Sequence, residues 1–82
     1  MDKPYFLYIL RCGDGTLYTG ITDDVPRRLE AHRAGKGARY TRGRGPLTLL
    51  YFEQCENKAA ALRREYAVKH LPRAEKLKLT EK

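Results

Sequence analysis

Hydrophobic residues along the chain fall into blocks with two different spacings. Tyr5–Cys12, "YFLYILRC", is a near-continuous apolar and aromatic run, with Phe6, Tyr8 and Leu10 on one face of a strand and Tyr5, Leu7 and Ile9 on the other. A strand apolar on both faces belongs in a sheet that is covered on both sides. "GDG" at Gly13–Gly15 interrupts the run and "TLYTGI" resumes it, the pattern of a β-hairpin. In "TDDVPRRLEAHRAG" the spacing becomes helical. Asp23 or Asp24 is the N-cap, Pro26 sits in the first turn where its missing N–H costs nothing, and Gly35 is the stop, giving about ten helical residues. "GKGARYTRGRGP" has little hydrophobic period and reads as a basic loop with room for one short helical turn. "LTLLYFEQC", Leu47–Cys55, is a third strand. Asn57 caps a helix over "KAAALRREYAVKHL", ended by Pro72 because proline disfavours helical geometry in the residue before it, and "RAEKLKL" closes the chain as a last short helix. The order β-β-α-β-α-α, with no repeat and no linker, predicts a single α/β (α+β) domain over residues 1–82 with a small, mostly antiparallel sheet.

This pattern aligns particular polar side chains. A three-residue turn at Gly13–Gly15 sets Cys12 opposite Thr16 and Leu10 opposite Tyr18, so that Tyr8 and Tyr18 share a face as diagonal neighbours about 7–8 Å apart at Cα. Each tyrosine taken alone reads as core or rim packing before catalysis, since tyrosines are common in strands. On the first helix Val25, Arg28, Leu29 and His32 form one stripe and Arg27 points roughly the opposite way. Arg28 is thus the arginine at the edge of the buried face, able to reach a phosphate or simply to snorkel. On the second helix Ala61, Leu62, Glu65, Val68 and Lys69 share a side. A carboxylate among core positions requires a partner, which for Glu65 is Lys69 at i+4, Arg28 or a metal ion.

Composition narrows the possible functions. With 82 residues the core is thin and excludes a large buried cofactor. The formal net charge of +7 favours polyanionic partners, nucleic acid above all, although the same charge also serves solubility. Between Arg27 and Arg44 stand seven basic residues, among them Lys36, Arg39 and Arg42, against Glu30 alone. The interleaved glycines let backbone N–H groups approach phosphates. Cys12 and Cys55 lack zinc-site spacing, so free cytosolic thiols are expected. The N-terminal apolar run is too short to span a bilayer and has no cleavage signal, pointing to a cytoplasmic protein without a membrane partner.

"FLY" at Phe6–Tyr8, "YTG" at Tyr18–Gly20, "RRLEAH" with Arg28 and His32, and "RREYAVK" with Glu65 together resemble the GIY-YIG nuclease domain, and its small stand-alone bacterial members in particular. The resemblance runs from about Tyr5 to Lys69. It implies a three-stranded antiparallel sheet flanked by helices and a metal-dependent DNA endonuclease. In that family pattern Glu65 binds one divalent cation, Mg²⁺ or Mn²⁺, and Arg28 stabilises the charge-rich transition state. Tyr8 assists deprotonation of the attacking water, and Tyr18 and His32 orient water or exchange protons. Arg27, Lys36, Arg39, Arg42 and Arg44 are the expected nucleic-acid-binding residues. Phe6 and Thr19 depart from the motifs, and the asparagine often found after the metal-binding helix has no counterpart, since Asn57 precedes that helix. A non-catalytic nucleic-acid-binding module on the same fold is therefore the second reading, and a domain that recognises an acidic protein is the third. So small a chain also leaves room for a protein partner that supplies substrate specificity.

Overall fold

The strand that reads apolar on both faces is the central strand of the sheet. A computed structural model describes residues 3–81. In it β1 (Tyr5–Arg11), β2 (Leu17–Thr22) and β3 (Thr48–Cys55) form an antiparallel sheet in the order β2-β1-β3. Helices α1 (Val25–Arg33), α2 (Lys58–Lys69) and α3 (Arg73–Thr80) complete the order β-β-α-β-α-α, as predicted. The basic loop contains a single 3-10 turn, Arg39–Thr41.

The hairpin register follows from its turn. Asp14 Oδ1 accepts the Thr16 N–H at 3.1 Å and the Thr16 hydroxyl at 2.6 Å, and Gly15 takes a φ of +86° that favours glycine. Cys12 N–H then donates to Thr16 O at 2.8 Å, Leu10 faces Tyr18 and Tyr8 faces Gly20. On the other side of β1 the register slips between Ile9 and Leu10, which face Tyr51 and Leu49, so Leu50 is the extra residue of a bulge.

Each helix is bounded by local chemistry. Asp24, rather than Asp23, caps α1 by accepting the Arg27 N–H at 3.0 Å. The helix closes in a Schellman motif around Gly35 (φ +77°), with Lys36 N–H on Ala31 O at 2.8 Å and Gly35 N–H on His32 O at 3.0 Å. Asn57 caps α2 by accepting the Ala60 N–H at 2.9 Å. This helix stops at Lys69, short of the predicted Leu71, because Pro72 already biases Leu71 towards extended backbone.

The two faces of the sheet differ in chemistry. Leu7 and Ile9 are fully buried against Val68 of α2, with Leu17, Tyr51 and Leu79 around them, forming a wholly hydrophobic core. The apolar arc of α2 is narrower than its sequence suggests, since Ala61 and Val68 are buried but Leu62 is 47% exposed. On the opposite face Tyr8 and Leu10 are buried with His32 of α1 and Thr41 of the basic loop, both 2% exposed. That face has polar groups at its centre and is where the candidate site lies.

Candidate active site

Tyr8 is held directly over Gly20, its partner across the sheet. A Cβ at residue 20 would stand 2.6 Å from Tyr8 Oη and 3.0 Å from Tyr18 Cε2, so only glycine lets both phenols lie there. The Tyr8 and Tyr18 rings are 6.2 Å apart, confirming that the predicted diagonal pair shares a face. The His32 ring meets both edge-on, at 5.8 Å from Tyr8 and 5.3 Å from Tyr18.

A buried hydrogen-bond line runs through this cluster. Tyr8 Oη lies 2.8 Å from His32 Nε2, and His32 Nδ1 lies 2.8 Å from Thr41 Oγ1. The Thr41 hydroxyl donates to Ala38 O at 3.0 Å, which leaves its oxygen to accept from Nδ1–H. The Ala38 N–H, 3.4 Å from Nδ1, is the longer competitor. Imidazole protonated at Nδ1 presents a lone pair at Nε2, and the Tyr8 O–H donates to it. Burial and the Arg28 charge both favour this neutral imidazole and hold the His32 pKa below its usual value. Burial pushes the Tyr8 phenol up to about 12, and the Arg28 guanidinium beside it partly offsets the rise. At neutral pH both groups are therefore uncharged, in contact, and ordered as donor and acceptor.

Arg28 is the cation of the site and makes no ion pair among the described residues. It lines a cleft of about 450 Å³ between α1 and the start of α2. Arg27 lines the same cleft and pairs with Asp23 at 3.0 Å. Arg27 is largely exposed where Arg28 is half-buried, in keeping with its predicted position away from the buried stripe, and its long side chain reaches the cleft edge beside Asp23.

The other expected residues are distributed as follows. Glu65 is placed on α2, whose Val68 packs on the face of the sheet opposite Tyr8; its Oε2 pairs with Lys69 at 3.3 Å. Of the two protein partners left open by sequence, Lys69 rather than Arg28 makes the ion pair, and among the described residues no hydrogen bond or ion pair joins Glu65 to Tyr8, Tyr18, Arg28 or His32. Arg44 is occupied: it pairs with Asp14 at 2.5 Å and lies 4.6 Å over the Tyr40 ring, which in turn stacks on Tyr18 at 5.8 Å. The Asp14 carboxyl, which accepts bonds from Thr16 and Arg44, is held down at about 2. Lys36, Arg39 and Arg42 are exposed and without an ion pair among the described residues. Cys12 and Cys55 are free thiols.

Thr41, Gly20 and Gly37 are the contributors that sequence reasoning missed. A Cβ at residue 37 would come within 2.3 Å of His32 Nδ1, so Gly37 makes room for the imidazole as Gly20 does for the phenols. Gly20 was detectable, because the hairpin register sets it opposite Tyr8. Thr41 was not, since nothing local aims a loop threonine at a helix histidine nine residues earlier.

Comparisons with known proteins place the fold and the family. The family model of the GIY-YIG catalytic domain matches residues 4–78. A UPF0213 protein of Oceanobacillus iheyensis is 54% identical over 81 residues, covering 99% of this chain and 94% of that one. A UPF0213 protein of Halobacterium salinarum is 53% identical over 72 residues, covering 88% and 94%. The solution NMR structure of the UPF0213 protein BH0048 from Bacillus halodurans has 51% identity and a TM-score of 0.59, covering 93% of this chain and 81% of that one. The protein EF2693 from E. faecalis, also solved by NMR, has 38% identity and a TM-score of 0.62 over 92% and 80%. A match that begins just before β1 and extends into α3, together with relatives of this identity over most of their length, establishes that the chain belongs to the GIY-YIG family.

Proposed function

We propose that this protein is a divalent-metal-dependent phosphodiesterase that cleaves DNA, with Tyr8, Tyr18, Arg28 and His32 as its clustered working residues and Glu65, on the helix that covers the other face of the sheet, as the metal ligand the family pattern implies. The observation that carries the reading is the line Tyr8–His32–Thr41, two contacts of 2.8 Å with Arg28 beside them. A phenol with a pKa near 12 is no base by itself at neutral pH. Its oxygen takes a proton from an attacking water as its own proton passes to His32 Nε2, so the imidazole, not the phenolate, stores the charge. Tyr18, against both rings, restricts where that water sits. Arg28 donates to the phosphate oxygens and stabilises the charge that builds on them.

The chain's donors suit a metal ion of the expected kind. Glu65 is 19% exposed and uses one oxygen for Lys69, which leaves the other as a hard donor. Among the described residues no group of three His, Cys, Asp or Glu side chains could hold an ion. A single carboxylate fits Mg²⁺ or Mn²⁺, which keep several waters and take remaining ligands from the substrate phosphate. When bound, such a cation supplies Lewis-acid polarisation of the phosphate and charge for the departing oxygen.

The test is a cleavage screen with Mg²⁺ or Mn²⁺ over linear, nicked, flapped and single-stranded DNA. Cutting is expected, with loss in Glu65→Ala, Arg28→Ala and Tyr8→Phe proteins that remain folded. Intact DNA across substrates and metals refutes the enzymatic reading; salt-sensitive binding without cuts assigns the chain to the non-catalytic nucleic-acid-binding class.

A further inference from the structure

We infer that one strand of the nucleic acid leaves the Arg28 site along a groove between α1 and the start of α2, where Lys58 contacts its backbone. The inference rests on the DNA reading above and specifies where the strand runs. Two clefts adjoin there, of about 450 and 340 Å³, and share Tyr5 and Lys58 as common walls. Arg28, whose guanidinium acts on the Tyr8 phenol, lines the first, and Lys3 lines the second. Arg27, Arg28 and Lys58 line the first cleft and Lys58 and Lys3 the second, and the one acid among the described lining residues, Asp23, is already paired with Arg27. A polyanion is what such a sequence of cations recognises.

Size decides between one strand and two. Each cleft has the volume of a small-molecule site and accommodates roughly one nucleotide. A duplex, whose major groove alone is about 12 Å wide, does not enter. Tyr5, half-buried between the clefts, offers a ring against which a base or sugar packs. The path is distinct from the loop carrying Lys36, Arg39 and Arg42, and Lys58 was not among the residues expected to bind DNA.

Binding of a short fluorescein-labelled oligo(dT) in EDTA, followed by anisotropy from low to moderate salt, separates this inference from the catalytic one. Wild-type protein should bind with a linear dependence of log K on log salt. Lys58→Gln should reduce that slope by about 0.7, the value of one single-strand phosphate contact. Lys58→Arg should preserve it, and so should Lys78→Gln, which removes the same charge from an α3 residue paired with Glu75. Circular dichroism verifies that each variant folds. If wild type binds and Lys58→Gln keeps the full slope, the groove is wrong while the DNA reading stands. If wild type binds no DNA at low salt, the DNA reading falls and the groove with it. Unlabelled duplex that competes as well, nucleotide for nucleotide, as unlabelled oligo(dT) would overturn the single-strand assignment.

Discussion

Thr41→Val isolates the hydrogen bond that orders the candidate site. The substitution preserves shape and removes one hydroxyl from a position that is 2% exposed and 2.8 Å from His32 Nδ1. One group loses its partner, the Nδ1–H; the Ala38 carbonyl gives up the Thr41 hydroxyl at 3.0 Å but keeps the Thr41 N–H at 3.1 Å. A buried polar group left unsatisfied costs about 1–3 kcal/mol, out of a total stability of roughly 5–15 kcal/mol. For a chain of this length each kcal/mol lowers Tm by roughly 4–8 °C. The functional effect is separate. Without Thr41 the imidazole is free to carry its proton on Nε2, which would then donate to the Tyr8 oxygen and oppose the proton transfer proposed above. A loss of about 1–3 kcal/mol in transition-state stabilisation is a roughly 5- to 150-fold drop in cleavage rate. Thr41→Ser retains the hydroxyl and should retain most of both properties. The most direct assay does not need activity: nitrogen-15 shifts and long-range couplings of the His32 ring should report Nδ1–H in the wild type and a mixture of tautomers in Thr41→Val. An Nε2–H tautomer in the wild type, or an unchanged ring in the variant, would refute the reasoning.

Three further outcomes follow from the same geometry. Gly20→Ala places a methyl 2.6 Å from Tyr8 Oη, so urea denaturation should show a loss of about 1–3 kcal/mol and cleavage should fall more steeply than stability. His32 has a folded-state pKa depressed below its ordinary 6.5; its contribution to stability is therefore complete above pH 6.5 and declines as pH falls through the folded value, and His32→Gln should flatten that part of the stability curve. Arg39→Ala with Arg42→Ala should reduce the salt slope of DNA binding by more than Arg44→Ala does, because Arg44 is already paired with Asp14 and seated on Tyr40.

Local chemistry made most of the fold legible. β1 reads as apolar on both faces because it is central, Asp14 and Gly15 define the hairpin register, and Asp24, Gly35, Asn57 and Pro72 bound the helices. The Tyr8–Tyr18 pair followed from register alone, and His32 from the helical period. What the sequence concealed depends on long-range closure. Residues Gly37 to Thr41 return to His32 because of how the basic loop packs, and Arg44 reaches Asp14 across 30 residues.

The electrostatics of the site join binding to proton transfer. Arg28 has no anion beside it among the described residues, and its charge is one of the two causes that depress the His32 pKa. The free site is thus unfavourable for imidazolium, which keeps His32 neutral and able to accept a proton. A phosphate on Arg28 cancels that repulsion, so the imidazole becomes more basic at the moment its proton acceptance is needed. Burial, the larger cause, remains, so only part of the depression should be reversed. Titration of His32 by NMR, with and without inorganic phosphate at constant ionic strength, measures this coupling. The apparent pKa should rise with phosphate in the wild type and stay unmoved by phosphate in Arg28→Gln. A wild-type value insensitive to phosphate that is shown to bind would separate Arg28 from the proton relay and leave it as a binding residue alone.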